Sequence, residues 1–215
     1  MASRTHEDPA ADAAAYIAGS GDIVPSCRGD ALEQLRQSEL LSRWAQETHH
    51  VINYCPPPDA PTTKGTEHEV FFHQQADLVY KRTHPGTFGS ILTEVGLRRT
   101  ATPYFYLRRI ELTNEFFDSD LRLEGVTLGD KISIVISQPW AHPADPSRPV
   151  PSDAEVGDFM SRLGFERVAN TKFEWVSKSN RLRVSDARPD NFIKSKDGVV
   201  PIDLVVGRDP GFETG

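Results

Sequence analysis

The fold of this chain is decided by two neighbouring stretches, Val184-Ser-Asp-Ala-Arg-Pro-Asp-Asn-Phe-Ile193 and Asp197-Gly-Val-Val-Pro-Ile-Asp-Leu204. Asn191 follows Asp186 by five positions, and Asp203 follows Asn191 by twelve. The residues between Asn191 and Asp203 predict a β-hairpin, because an Asp-Gly turn separates two short apolar runs. A hairpin brings its two ends together, so we expect Asn191 and Asp203 to face one pocket.

The side chains of Asp186, Asn191 and Asp203 supply hard oxygen donors. Mg2+ that carries phosphate oxygens prefers such ligands, so the three residues predict a metal and phosphate site. Each residue also has a structural explanation when it is taken alone. Asp186 would cap a turn, Asn191 would bond loop backbone, and Asp203 would be an ordinary carboxylate at a strand end. The joint spacing and the flanking strands favour the metal site.

A D-x-x-x-x-N loop followed by an Asp after an apolar strand resembles the catalytic loop and the metal-binding aspartate of the protein kinase and aminoglycoside phosphotransferase superfamily. The runs Ser185-Asp-Ala-Arg-Pro-Asp-Asn-Phe-Ile-Lys194 and Pro201-Ile-Asp-Leu204 are more closely similar to the polyvalent protein kinase-like domains of bacteria and phages. Two departures favour the atypical branches: Val184-Ser185 stands where protein kinases have His-Arg, and Leu204-Val205 stands in place of Phe-Gly. The resemblance covers roughly residues 64–207.

The resemblance implies a role for each of these residues. Asp186 matches the catalytic base, Asn191 the second metal ligand, and Asp203 the main Mg2+ ligand. Lys81 ends an apolar strand in a hairpin predicted over residues 70–82, and it matches the lysine that pairs with the α and β phosphates of ATP. The alternative for Lys81 is a surface lysine at a strand end.

A helix is predicted to begin with Thr102 as its N-cap and Pro103 at its first position, and to run through Phe117. At 100° per residue, one face of this helix carries a single polar side chain among apolar ones. The residues of that face are Leu107, Ile110, Asn114 and Phe117.

The same helix offers a carboxylate that could hold Lys81 against the phosphates, as a kinase-like lobe requires. Glu111 lies on the flank of the apolar face, whereas Glu115 lies further round, so Glu111 is the better-placed partner for Lys81. Asn114 could instead serve structurally. A solvated Glu111 beside Arg108 is an equal alternative.

A second hairpin, predicted over residues 121–137, runs into Gln138, Pro139 and Trp140. The resemblance places the hinge between two lobes here, with backbone groups that contact adenine. Pro139 removes one donor at that point. The glycine loop that covers phosphates in kinases is poor in this chain, because Gly65 is the lone glycine in the run Thr63-Lys-Gly-Thr-Glu-His68 that precedes the first hairpin.

Residues 1–62 predict a helical extension followed by a proline-rich linker. A helix from Pro9 to Ala18 is expected to be loosely held. A second helix over residues 31–48 places on one stripe Leu32, Leu35, Leu40, Leu41 and Trp44. The run Cys55-Pro-Pro-Pro-Asp-Ala-Pro61 is stiff and extended, because consecutive prolines exclude helix.

Two further elements are predicted before the decisive stretch. Ser152-Asp-Ala-Glu155 is a capping box that starts a helix ending at Gly164, and Phe159 and Met160 on this helix are expected in the core. A hairpin over residues 173–184 then leads into the loop that begins at Asp186.

Composition narrows the function classes. The chain has 215 residues and a net charge of -7, and its pI is near 5.5. These values argue against non-specific binding to nucleic acid or to an anionic membrane, both of which need a basic face. The two cysteines, Cys27 and Cys55, and the lack of a secretory or membrane-spanning apolar run predict a reducing, cytoplasmic setting.

The prediction is therefore an α+β chain with a bilobal protein-kinase-like fold. Residues 63–140 would form the N-lobe, with a mostly antiparallel sheet and one helix, and residues 141–215 a truncated, minimal C-lobe. The implied activity is an ATP- and Mg2+-dependent transfer of the γ-phosphate to a hydroxyl acceptor, either a small molecule or a protein. The alternative is a catalytically inactive kinase-like module that binds a nucleotide or a protein.

Overall fold

The structure, a computed structural model of the chain, describes residues 8–20, 31–53, 62–92 and 98–208. These residues form helices and antiparallel sheets, which confirms the predicted α+β class. The predicted proline-rich linker at residues 55–61 lies outside the described residues. The chain divides into two compact units. The first comprises Met1–Ser90, Thr100–Glu111 and Asp120–Pro139, and the second comprises Ile91–Arg99, Leu112–Ser119 and Trp140–Gly215.

The described helices are α1 (Pro9–Gly19), α2 (Ala31–Glu47), α3 (Pro103–Phe117) and α4 (Asp153–Arg162), with a short 3-10 helix at Pro189–Asn191. The described strands are, in chain order, β1 (Thr62–Lys64), β2 (His68–His73), β3 (Leu78–Thr83), β4 (Ser90–Leu92), β5 (Arg98–Thr100), β6 (Arg122–Thr127), β7 (Ser133–Pro139), β8 (Glu166–Arg167), β9 (Trp175–Ser177), β10 (Leu182–Ser185), β11 (Phe192–Ser195), β12 (Gly198–Pro201) and β13 (Val205–Arg208). No described helix is both long and apolar enough to span a lipid bilayer.

Five of the described strands form the sheet of the first unit, in the order β1-β2-β3-β7-β6. The predicted β2–β3 and β6–β7 hairpins are both present. The central strand β3 pairs on both sides, with Lys81 opposite Val70 of β2 and Ile136 of β7. Because hydrogen bonds hold β3 at both edges, the backbone position of Lys81 is fixed by the sheet.

Helix α1 packs against α2 and β6 within the first unit, so the expectation of a loosely held N-terminal helix is wrong. Its small residues bring its backbone close to its neighbours, and its buried face consists of Ala10, Ala13, Ala14 and Ile17. Two polar contacts tie α1 to α2: Trp44 Nε1 donates to Asp12 Oδ2 at 3.0 Å, and Tyr16 donates to Glu47 at 3.1 Å.

The buried face of α2 is rotated from the apolar stripe that the sequence predicted. Leu32 and Leu35 are each 57% exposed, whereas Gln37, Leu41 and Trp44 are buried. Residues 37, 41 and 44 follow helical spacing and so lie on one face of α2. A prediction from apolar side chains misses this face, because residue 37 is a glutamine.

The segment after α2 covers the free edge of β6. Val126 N donates to His50 O at 2.9 Å, and Ile52 N donates to Val126 O at 3.0 Å. The approach depends on Gly125, which has a φ of 152° at a bulge in β6, and a Cβ at this position would overlap the carbonyl oxygen of His50.

We therefore expect Gly125→Ala to lower the free energy of unfolding by about 1–3 kcal/mol, because alanine is strained at this φ and also displaces the covering segment. Gly129→Ala is the matched control, since Gly129 is exposed in the next turn and a Cβ there meets only ordinary contacts. Urea unfolding of the two variants measures the difference. Equal losses would contradict this explanation.

The second unit contains the sheet β13-β10-β9-β8 and the separate hairpin β11–β12. The predicted pairing of β9 with β10 is present. Apolar side chains from the end of α3, from α4 and from these strands form one core, which includes Met160, Trp175, Val184, Phe192 and Leu204. The core anchors the strands immediately before and after the loop at Asp186.

Helix α4 begins at the predicted capping box, which the structure confirms. Ser152 Oγ accepts from Glu155 N at 3.3 Å, and the Glu155 carboxylate accepts from Ser152 N at 2.8 Å. Met160 is fully buried as predicted, and Phe159 is partly buried against the same core.

Lys194 of β11 also donates to Glu155. This bond, with those that the backbone N–H and the hydroxyl of Ser152 donate, lowers the pKa of Glu155 from 4.5 to about 2. The fold stabilises the ionised carboxylate, so this contribution is complete above pH 4.5 and is lost as the pH falls toward 2. We expect Glu155→Gln to lower the melting temperature near neutral pH. The difference from wild type should shrink as the pH falls from about 5 to about 3, and a constant difference in circular-dichroism melts would contradict this.

Candidate functional site

The loop at Asp186 and the segment at Asp203 leave the second unit's sheet at the same end. Strand β10 ends at Ser185, whose partner in the antiparallel register is Val205, the first residue of β13. Because an antiparallel register advances by one residue on each strand together, the chain before Val205 continues beside the chain after Ser185. The sheet register therefore brings Asp186 and Asp203 into one neighbourhood.

A second constraint holds Asn191 beside Asp203. The predicted hairpin of β11 and β12 is present and starts with Phe192 opposite Pro201. Beyond that pair, Asn191 O accepts from Ile202 N at 2.9 Å and from Asp203 N at 3.4 Å. The open end of the hairpin thus places these two residues side by side.

The side chain of Asn191 fixes the loop that carries Asp186. Asp186 has a φ of 61°, a left-handed conformation that Asp tolerates better than most residues. Its carbonyl oxygen accepts from Asn191 Nδ2 at 2.7 Å and from Arg188 N at 2.7 Å. Because Asn191 Nδ2 makes the bond within the loop, its Oδ1 is directed elsewhere and accepts no hydrogen bond from the described residues.

We expect Asn191→Ala to lower the free energy of unfolding by about 1 kcal/mol in the absence of metal and nucleotide, because a buried hydrogen bond is lost. Asn180→Ala is the control, since Asn180 lies in the turn between β9 and β10 and its side chain makes no hydrogen bond with the described residues. Urea unfolding at constant m value measures both. A loss no larger than the control's would show that Asn191 does not hold the loop.

The charge around Asp186 is balanced by Arg188. Arg188 Nε lies 3.3 Å from Asp186 Oδ1, and its Nη2 lies 3.2 Å from Asp190 Oδ2. Arg188 is about half exposed, so solvent weakens both ion pairs. The guanidinium can therefore leave Asp186 at little cost in stability.

The donor set fits a magnesium ion that also carries phosphate. Asp203 offers a carboxylate and Asn191 an amide oxygen from adjoining positions, and Mg2+ commonly takes one or two protein ligands and completes its octahedron with phosphate oxygens and water. Among the described residues there is no cluster of three or more His, Cys, Asp or Glu that could hold a metal by itself. These residues can therefore supply two oxygen ligands, and phosphate oxygens and water would complete the coordination of the metal.

Lys81 lies in the first unit and is 7% exposed. The alternative of a surface lysine at a strand end is therefore wrong. A buried ammonium is uncommon and requires interacting groups. Glu111, on the part of α3 that belongs to the same unit, forms an ion pair with Arg108 one turn away. Its side chain is only 16% exposed, so the alternative of a solvated Glu111 does not describe it.

The predicted hinge residues fall at the end of β7. Gln138 pairs with Val79 and is buried, and Pro139 is the last residue of the strand. Trp140 belongs to the second unit, where its ring stacks on His142 with centroids 5.1 Å apart.

Sequence reasoning missed Gln37 of α2. Thr102 was the predicted N-cap of α3, but its hydroxyl is buried and has no hydrogen-bond partner in the described structure. The backbone N–H of Tyr104, in the first turn of α3, instead donates to Gln37 Oε1 at 3.0 Å. The signal in the sequence was a polar residue at helical spacing from Leu41 and Trp44.

A family model of serine/threonine/tyrosine kinases found in polyvalent proteins matches residues 34–207. The match spans well over half of the chain, so the chain belongs to this family of kinase-like phosphotransferases. The match begins within α2. The resemblance noted in the sequence analysis starts later, near residue 64. Comparisons with curated proteins and with solved structures found no match.

Proposed function

We propose that the protein is an ATP- and Mg2+-dependent phosphotransferase that moves the γ-phosphate to a hydroxyl acceptor. The observation that carries the proposal is the meeting of Asp186, Asn191 and Asp203 at one end of β10 and β13, with Asn191 Oδ1 left available by its bonded amide nitrogen. Membership in a kinase family supports the same reaction class.

Asp203 and Asn191 would hold the metal. When bound, Mg2+ supplies positive charge that offsets the charge of the β and γ phosphate oxygens. The hairpin β11–β12 joins the two ligands through a short, hydrogen-bonded ribbon, so their spacing is set before any ligand arrives. Such preorganisation favours binding, because little ordering remains to be done.

Asp186 would act on the acceptor. Its carboxylate orients the hydroxyl and accepts the proton as the hydroxyl oxygen attacks the γ phosphorus. The bond from that phosphorus to the β–γ bridging oxygen breaks, and ADP leaves. Arg188 would have to leave the carboxylate for this step, which its half-exposed ion pairs permit.

The resemblance to kinases implies further residues that would bind the nucleotide. Lys81 would neutralise the α and β phosphates, Glu111 would hold Lys81, and backbone groups near Gln138, Pro139 and Trp140 would contact adenine. In this proposal residues 63–140 are the N-lobe and residues 141–215 a minimal C-lobe. The net negative charge of the chain argues against nucleic-acid and anionic-membrane partners, and the acceptor would be a small molecule or a protein in the cytoplasm.

A non-catalytic module that binds nucleotide is the second candidate. The turn between β1 and β2 contains one glycine, Gly65, whose N–H donates to His68 O at 2.8 Å and closes the turn on itself. A turn of this kind offers few backbone donors to a phosphate. This observation favours weak phosphate contacts on that side and hence binding without efficient transfer.

The experiment is thermal unfolding with ATP, with and without Mg2+, combined with transfer of label from γ-labelled ATP to water, to the chain and to a peptide library. At 100 times its dissociation constant, MgATP should add about 2.7 kcal/mol to the free energy of unfolding. Stabilisation with transfer supports the phosphotransferase, and stabilisation without transfer supports the module. No stabilisation by MgATP would contradict both.

A further inference from the structure

Helix α2 contacts α3, which carries Glu111, and the turn that follows β3, the strand that carries Lys81. Gln34 Nε2 donates to Gly86 O at 2.6 Å, and Gly86 lies just beyond the end of β3, which carries Lys81. Gln37 Oε1 accepts from Tyr104 N at 3.0 Å in the first turn of α3, which carries Glu111. Two glutamines one helical turn apart thus connect α2 to the start of α3 and to the turn after β3.

Gln37 is bonded at both ends of its amide although it is completely buried. Its exposed fraction is 0%, and its Nε2 donates to Glu33 Oε1 at 3.0 Å, one turn earlier on α2. A buried amide is costly unless both its donor and its acceptor are satisfied. An apolar residue would fill this position at lower cost if packing were its only role.

The contact matters to α3 because the helix has no cap of its own in this position. The first N–H groups of a helix need acceptors from outside it. Thr102 precedes α3, but its buried hydroxyl makes no hydrogen bond in the described structure, and Gln37 supplies the acceptor instead. The start of α3 is therefore fixed relative to α2.

We propose that Gln37 is a positioning residue for phosphoryl transfer. By fixing the first turn of α3 it sets where Glu111 stands relative to Lys81, while Gln34 fixes the chain beyond β3. The inference rests on the proposed function, because it requires Lys81 and Glu111 to act on the phosphates of ATP. It adds α2 to the elements that position the catalytic residues, and the family match includes most of this helix.

The test compares variants on α2. Gln37→Met keeps the size of the side chain and removes both hydrogen bonds. The double variant Glu33→Gln with Gln37→Glu exchanges donor and acceptor, so residue 33 donates to residue 37, which still accepts from Tyr104 N. Glu39→Met introduces the same side chain at an exposed position of the same helix and is the matched control.

Two readouts are taken at a temperature where circular dichroism shows every variant folded: steady-state transfer from MgATP and amide hydrogen exchange of residues 103–111, with α4 as the internal reference. Gln37→Met should speed exchange at the start of α3 and lower kcat by about 10- to 100-fold, because displacement of a positioned group by about 1 Å can cost 100-fold. The exchanged pair should recover most of both effects, and Glu39→Met should show neither.

The outcomes separate this inference from the proposed function. If wild type transfers phosphate and Gln37→Met keeps its kcat while α3 exchanges faster, Gln37 is purely structural and the inference is wrong. Unchanged exchange in Gln37→Met would also contradict it. If the wild type neither binds MgATP nor transfers phosphate, the proposed function fails first, and the positioning role fails with it.

Discussion

Asp203→Ala is expected to abolish the stabilisation by MgATP that the wild type shows. Asp203 is the carboxylate that adjoins Asn191 at the open end of the β11–β12 hairpin, and its removal leaves the metal one protein oxygen instead of two. A ligand at 100 times its dissociation constant adds about 2.7 kcal/mol, so the loss of binding removes an effect of this size from the thermal unfolding of the protein.

Asp197→Ala is the matched control for this measurement. Asp197 lies exposed in the turn of the same hairpin, at the end away from Asn191 and Asp203. Asp197→Ala removes one negative charge from the same hairpin, as Asp203→Ala does. The comparison therefore corrects for changes in net charge and in hairpin stability. If both variants respond to MgATP as the wild type does, Asp203 is not a metal ligand.

Asp186→Asn is expected to leave MgATP binding intact and to lower the rate of phosphoryl transfer by about 10²- to 10⁴-fold, the usual contribution of a positioned base. Asparagine tolerates the left-handed backbone that Asp186 adopts, so the loop should keep its conformation. Single-turnover transfer from γ-labelled ATP measures the rate, and MgATP-dependent stabilisation measures binding.

Asp190→Asn controls for the loss of a charge that pairs with Arg188. Asp190 is 62% exposed and contacts the same guanidinium as Asp186 does, yet it has no part in the proposed chemistry. Its transfer rate should stay within a few-fold of the wild-type rate. Equal rates in Asp186→Asn and Asp190→Asn would remove Asp186 from the mechanism.

Much of the second unit could be predicted because its signals are local. The Asp-Gly turn of the β11–β12 hairpin and the capping box of α4 depend on residues close together in the chain, and both are present. The hairpin turns spacing along the sequence into proximity in space, which is why Asn191 and Asp203 could be expected together. This prediction did not depend on contacts between distant parts of the chain.

The features of the first unit that were not predicted depend on contacts between residues far apart in the chain. The capping of α3 by Gln37 joins positions 67 residues apart, and the helical spacing of Gln37 from Leu41 and Trp44 indicates its burial but not its partner. Helix α1 was expected to be loosely held as part of an N-terminal extension, but its small side chains permit the close approach of α1 to α2. The exposure of Leu32 and Leu35 has the same origin, since a buried glutamine sets the phase of α2.

The spacing of residues along the sequence could not predict the conformation of the candidate site. The sequence placed Asp186 in a loop, but it did not show the left-handed backbone or the bond from Asn191 Nδ2 that holds it. That bond decides which atom of Asn191 remains to bind a metal. It depends on the direction of one side chain, which periodicity and turn signals do not describe.

The most direct test of the metal site is electron paramagnetic resonance of Mn2+, which replaces Mg2+ at sites of oxygen ligands. With ATP present, the wild type is predicted to take up Mn2+ and so to lower the signal of the free ion, whereas Asp203→Ala should leave that signal as it is with ATP alone. Equal uptake of Mn2+ by the wild type and Asp203→Ala in the presence of ATP would contradict a metal and phosphate site at the open end of the β11–β12 hairpin.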